Sequence, residues 1–65
     1  MTVLDQIVAL ISDEINTGEN WVDTDFVVDQ EEDRMYILSK LRLLHPRKII
    51  RIVTNKDDTI SVDVK

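Results

Sequence analysis

The residues with the clearest capacity for chemistry are carboxylates, and they lie mainly in the first half of the chain. The first thirty-three residues contain ten Asp and Glu side chains and no Lys or Arg. Residues 34–56 reverse the pattern, with seven Lys and Arg side chains and no acid, and the 65-residue chain has a formal net charge of −5. Carboxylates at this density can bind a hard metal ion, transfer protons or attract a basic partner. Spacing and neighbouring residue types distinguish these chemistries.

The acidic segment does not have the spacing of a calcium-binding loop. With Asp23 in the first position, Asp25 fits the third, but Val28 stands where the central glycine is needed and Arg34 where the final glutamate is needed. The chain has no cysteine, so a thiolate metal site and a disulfide are both excluded. We therefore predict neither a bound metal nor a cofactor.

Residue types for catalysis are scarce. The only histidine, His45, directly precedes Pro46, and we interpret it as the end of a helix, where a cationic imidazole interacts favourably with the helix dipole. No serine has a base and an orienting group at a recognisable spacing, and the single glycine excludes a glycine-rich phosphate loop. We predict that the protein is not an enzyme.

A tryptophan lies within the acidic segment and allows two interpretations. Trp21 either folds back over a small core or serves as a binding anchor, with carboxylates around it that steer a basic partner. The leading prediction is a non-enzymatic protein-interaction module, a small acidic regulator or inhibitor that binds a basic surface of an unidentified partner protein. Nucleic-acid mimicry, in which carboxylates imitate phosphates, is a special case. The predicted partner-binding residues are Trp21, Asp23, Asp25, Asp29, Glu31 and Glu32.

The basic segment supports an alternative prediction, nucleic-acid binding. Aromatic residues are absent after Tyr36, and the zinc-finger and RNA-recognition signatures are missing. Neutralisation of the acidic half, within the chain or between protomers, competes with phosphate binding for the same cations. The residues that would bind nucleic acid are Lys40, Arg42, Arg47, Lys48 and Arg51.

The first predicted element is a helix over residues 3–15, where apolar side chains recur at helical spacing. Thr2 and Asp5 are spaced as a capping box, and Gly18 is placed to end the helix. Ala9 and Leu10 extend the apolar stripe to a second side, which indicates contact with a second surface. That surface belongs either to the same chain or to another copy.

A second helix is predicted over residues 29–45, with Asp29 as its N-cap and Pro46 as its stop; a strand over residues 34–41 is the alternative. Between the helices we expect a loop and then a short strand at residues 25–28. The buried stripe predicted for the second helix consists of Ile37, Leu38, Leu41 and Leu44.

Residues 49–54 and 59–64 alternate β-branched and polar side chains and predict a hairpin. A register shifted by one residue from the regular four-residue loop sets Ile52 opposite Val62. In that register Arg51 faces Asp63 on the outer side, where an exposed ion pair contributes about 0.2–1 kcal/mol.

Together these elements predict a single small domain of the α+β class: two helices packed on a small antiparallel sheet containing a C-terminal β-hairpin. A lone hairpin is only marginally stable, so we expect either a third strand or a homodimer that continues the sheet. No apolar run is long enough to cross a bilayer and no basic region precedes the first apolar stretch, so we expect a cytoplasmic protein without membrane contact. In size, charge and lack of cysteine the chain resembles the small accessory proteins that phages and mobile elements encode, a likeness that implies no residue role.

Overall fold

Helices and strands alternate irregularly in this chain, of which the computed structural model describes residues 2–65. The three strands form one antiparallel sheet in the order β1-β3-β2, and no described helix is long and apolar enough to cross a membrane. The helices cover one face of the sheet, and the predicted α+β architecture with its C-terminal hairpin is confirmed. The elements are α1 (Val3–Asn16), β1 (Trp21–Val27), α2 (Glu31–Leu44), β2 (Ile50–Thr54) and β3 (Thr59–Val64).

Helix α1 begins and ends as its sequence predicts. The Thr2 hydroxyl accepts the Asp5 N–H at 3.1 Å, and the Asp5 carboxylate accepts the Thr2 N–H at 3.4 Å, which completes the capping box. Gly18 adopts φ +95° after the last turn, and its N–H donates to the Ile15 carbonyl at 3.0 Å. This left-handed residue satisfies a carbonyl that the helix leaves unpaired.

Helix α2 confirms the helix predicted through residues 34–41, in place of the alternative strand, but corrects two details. It begins at Glu31 with Gln30 as N-cap, so the expected N-cap Asp29 lies outside it. Acidic side chains in the first turn complement the helix dipole, so the start does not require a side-chain cap. Leu44 is 57% exposed, not buried, because no neighbouring element covers the last turn at this position.

Strand β1 is longer than the four residues predicted. It begins at Trp21, in the segment expected to be a loop, and its register against β3 shifts by two residues between Asp23 and Val27. At this bulge the Thr24 hydroxyl accepts the Phe26 N–H at 3.3 Å and donates to a β3 carbonyl at 2.6 Å. The bulge interrupts the apolar–polar alternation, so the pattern indicated a strand only for the residues near its end.

The C-terminal hairpin has the predicted register. Ile52 pairs with Val62, and Arg51 pairs with Asp63, whose carboxylate lies 3.1 Å from the guanidinium. The turn places Asp58 at φ +66°, the left-handed residue that characterises a three-residue hairpin connection with a bulge.

The core lies between the helices and the inner face of the sheet. Alternate β3 residues face inward, and the stripes of both helices pack against them. The buried apolar residues are Ile7, Val8, Ile11, Ile15, Val22, Val28, Ile37, Leu41, Ile50, Ile60, Val62 and Val64.

A side-chain hydrogen bond joins the two helices, and its donor Tyr36 also makes a cation–π contact within α2. The Tyr36 hydroxyl donates to the Asp5 carboxylate at 2.6 Å, and the Lys40 ammonium lies 5.5 Å from the centre of the Tyr36 ring. The hydroxyls of Tyr36 and Thr2 hold the pKa of the Asp5 carboxyl below its usual value, and the same carboxylate raises the pKa of Tyr36. The hydrogen bond between Tyr36 and Asp5 therefore stabilises the fold only while Asp5 is charged and Tyr36 is neutral.

Replacing Tyr36 by Phe should reduce stability at neutral pH but not in acid. The pKa of the Asp5 carboxyl is lower in the folded protein than in the unfolded chain. The contribution of the Tyr36–Asp5 hydrogen bond to stability is therefore complete above the unfolded pKa near 3.8, and it is lost as pH falls through the lower folded pKa. At high pH the contribution is lost again as pH rises through the raised Tyr36 pKa. Thermal unfolding of both proteins from neutral to strongly acidic pH measures this, and a melting-point difference that did not change with pH would contradict it.

Replacing Gly18 by Ala should destabilise the protein by about 1 kcal/mol, because an L side chain is strained at this left-handed φ. No heavy atom lies within 4 Å of the added Cβ, so the loss has no steric component from packing. Gly18→Asn is the control and should lose less, since Asn tolerates this conformation. Urea unfolding compares the three proteins, and equal stability of the Ala variant and the parent would refute the strain.

Candidate functional site

A groove of about 480 Å³ lies between α1 and β1. No residue of β3 lines it, so it lies on the side of β1 that faces away from the rest of the sheet. We call this space the acidic groove. Its apolar lining residues are Leu10, Ile11, Trp21, Val22 and Phe26, and its polar lining residues are Glu14, Glu19, Asp23, Thr24 and Asp25.

The groove carries negative charge from two sources. Four of its lining residues are carboxylates and none is basic. The last turn of α1, which contains Glu14, also has no basic residue. Because the C-terminal end of a helix carries partial negative charge, an acid there is unfavourable by about 0.3–1 kcal/mol. The isolated protein therefore keeps like charges together at a cost to its own stability.

Trp21 lies at the rim of this groove and not over the core. Its neighbour Val22 faces inward, so Trp21 points to the uncovered face of the sheet, where it pairs across with Asp63 and is 45% exposed. The interpretation of Trp21 as a lid on the core is therefore wrong. The physical reason is that successive side chains of a strand point to opposite faces, so Trp21 faces away from the inward Val22. The sequence prediction began the strand only at residue 25.

The Asp23 carboxylate is held in place on the same face. Its Oδ1 accepts hydrogen bonds from the Trp21 indole N–H and from the Ser61 hydroxyl, both at 2.8 Å. The Asn55 amide in turn donates to Ser61 at 3.0 Å, which links the edge strand to the hairpin. Within residues 2–65 no group hydrogen-bonds to the second oxygen, Oδ2. Trp21 and Asp23 thus form a fixed pair with one acceptor atom free.

The structure divides the predicted acidic binding residues into two groups. Trp21, Asp23 and Asp25 line the groove, whereas Asp29 precedes α2 and the pair Glu31 and Glu32 forms its exposed first turn, outside the groove lining. In the first turn of a helix acids are favourable, so that pair has a structural role as well.

The residues of the alternative nucleic-acid prediction do not share one surface element. Lys40 and Arg42 belong to α2, Arg47 and Lys48 to the turn before β2, and Arg51 to β2. Three of the five have intramolecular partners. Lys40 lies over the Tyr36 ring, Arg42 approaches the Ile50 carbonyl at 3.4 Å, and Arg51 is paired with Asp63.

One serine and the histidine meet although their sequence spacing gave no indication of it. The Ser12 hydroxyl lies 2.8 Å from Nε2 of His45, and Ser12 is only 8% exposed. In the described part of the chain no carboxylate is hydrogen-bonded to the imidazole, and no group of three or more His, Asp or Glu side chains is placed to hold a metal. The pair joins the middle of α1 to the end of α2, which His45 caps as its sequence position predicts.

Seven of the ten lining residues were not predicted as binding residues, and three of the seven, Leu10, Glu14 and Glu19, are exposed. Leu10 had been recognised only as part of a second apolar side of α1, and it is 54% exposed in the groove. Glu14 lies one helical turn further along the same side. Glu19 follows the Gly18 turn and could be assigned to the groove only once β1 was known to begin at Trp21.

Replacing Glu14 by Gln should stabilise the isolated protein by about 0.3–1 kcal/mol, because it removes a negative charge from the negative end of a helix. Glu31→Gln is the matched control. It removes the same charge from the first turn of α2 and should lower stability by a similar amount. Urea unfolding at low ionic strength measures the free energy of unfolding of both variants. If both variants were more stable than the parent, or both less stable, the helix dipole would not be the cause.

No family model, curated protein or solved structure matches this chain, so its function is inferred from the geometry and charge of the groove.

Proposed function

We propose that the protein is a non-enzymatic interaction module, a small cytoplasmic regulator or inhibitor that binds a basic surface of a partner protein in the acidic groove. The observation that carries this proposal is the composition of the groove: four carboxylates and no cation around an apolar lining that includes a half-exposed Trp. The groove carboxylates repel one another in the monomer, whereas a cationic partner relieves the repulsion and covers the apolar surface.

The apolar residues and the carboxylates have different tasks in this binding. Trp21 and Leu10 supply exposed apolar area, and a tryptophan anchor in an interface commonly contributes 2 kcal/mol or more, about thirtyfold in affinity. The surrounding acids accelerate encounter with a basic surface and exclude acidic partners, but each rim charge adds little affinity. Binding is therefore selective by charge and strong through the tryptophan.

Preorganisation supports the same role. The Trp21 indole and the Asp23 carboxylate already hold each other, so a partner does not have to immobilise them at the moment of binding. The free Asp23 Oδ2 can accept a hydrogen bond from a Lys or Arg of the partner, and hydrogen bonds between charged groups are stronger than those between neutral groups.

Nucleic-acid mimicry is a narrower form of the proposal. It requires that the partner itself bind DNA or RNA, so that the groove carboxylates occupy its phosphate sites. A mimic competes with nucleic acid for that partner, whereas an ordinary inhibitor does not have to. Binding of nucleic acid by this chain itself is the alternative, and the intramolecular contacts of Lys40, Arg42 and Arg51 do not favour it.

The test is affinity capture from native extract with the tagged chain, with and without nuclease. We expect the parent to retain a near-stoichiometric protein after nuclease treatment. Trp21→Ala and the double variant Asp23→Asn, Asp25→Asn should each reduce that retention about tenfold or more, because they remove the anchor or half of the groove charge.

The matched control is Glu31→Gln with Glu32→Gln, which removes the same two charges outside the groove. It should retain the partner. Equal loss in both double variants would mean that net charge, and not the groove, selects the partner. If nuclease treatment released all the captured material, nucleic-acid binding would be supported instead. Circular dichroism confirms that each variant is folded.

A further inference from the structure

We infer that the partner enters the acidic groove as an extended strand that pairs with the outer edge of β1, an inference that rests on the proposed function. The strand would alternate basic and apolar side chains. Three features of the sheet lead to this conclusion: the free backbone groups of β1, the side chain over one carbonyl at the edge of β2, and the different chemistry on the two sides of β1.

The first feature is the direction of the β1 backbone. In an antiparallel ladder, alternate residues direct both backbone groups to the same neighbouring strand. The Asn20 carbonyl accepts the Val64 N–H at 2.9 Å, so Val22 also faces β3, and Trp21 and Asp23 direct their N–H and C=O groups outward. Within residues 2–65 these outward groups have no hydrogen-bond partner. They form a ready edge for an added strand.

The second feature is the contrast with the opposite edge of the sheet. There the Arg42 guanidinium approaches the outward carbonyl of Ile50 at 3.4 Å, and α2 packs against β2. A side chain over an edge carbonyl hinders the addition of another strand. The edge of β1, by contrast, combines free backbone groups with an adjoining groove.

The third feature selects the side chains of the added strand. Those on the helix side would contact Leu10 and Phe26, which line the groove, and those on the uncovered side would lie next to Trp21 and Asp23. Apolar residues fit the first environment. Lys or Arg fits the second, where a cation can bind both the indole face and the carboxylate.

The same charges argue against a second copy as the occupant. Symmetric pairing of β1 with β1 would place Asp23 and Asp25 of one chain beside the same residues of the other, and like charges across a strand pair are destabilising. The bulge at Thr24 also ends the regular edge, so the partner strand is short. A basic segment of another protein satisfies both conditions.

The test uses the full chain labelled with ¹⁵N and a peptide of about six residues that alternates Lys and Val. Trp21 fluorescence measures binding, and hydrogen exchange measures backbone pairing. We expect exchange of the Trp21 and Asp23 amides to slow about tenfold or more when the peptide binds, while the Val22 amide, which faces β3, changes little. The same peptide with N-methyl groups on alternate amides and a Glu–Val peptide are controls and should bind weakly.

Three results would overturn the inference. Binding that depends on Asp23 and Asp25 but leaves both amides unprotected would exclude strand pairing and leave the proposed function intact. No change in Trp21 fluorescence with the Lys–Val peptide would also exclude strand pairing. The proposed function would still be tested independently by affinity capture. Protection of these amides without peptide, together with a mass that rises with concentration, would identify a second copy as the occupant.

Discussion

The pairing of β3 with both other strands is the interaction on which the rest of the structure depends. β3 is the middle strand, and its residues Ile60, Ser61 and Val62 are completely buried. Neither outer strand is paired with the other, so each has a ladder of hydrogen bonds only through β3. The helices in turn pack on the inward side chains of this strand. Without β3 there would be no sheet, and the apolar side chains of β1 and β2 would not lie on one surface for the helices to cover.

The two faces of β3 connect the core to the groove. Its even-numbered residues pack under the helices, and its odd-numbered residues place hydroxyl and carboxylate groups on the face opposite the helices. There Ser61 fixes Asp23 and Asp63 fixes Arg51. A slip of one residue would reverse both faces at once, so the register that stabilises the core also positions the polar groups beside Trp21.

Local patterns predicted those parts of the fold that local interactions determine. The capping box at Thr2, the end of α1 at Gly18 and the pairing of Ile52 with Val62 follow from short-range spacing, and the structure confirms all three. The groove could not be predicted in the same way. Leu10 and Glu14 become neighbours of β1 only through packing, and the bulge at Thr24 conceals the strand that contains Trp21. Contacts between residues distant in sequence have no signature in a single chain.

The position of β3 also affects the order in which the chain can fold during synthesis. It is the last of the five elements to leave the ribosome, although it is the centre of the sheet. Helix α1 can form early, but β1 must wait until residues some forty positions later emerge, as the pairing of Trp21 with Asp63 shows. Long loop closures of this kind slow folding. The nascent chain therefore carries exposed Trp21 and Phe26 until β3 has emerged and can complete the sheet.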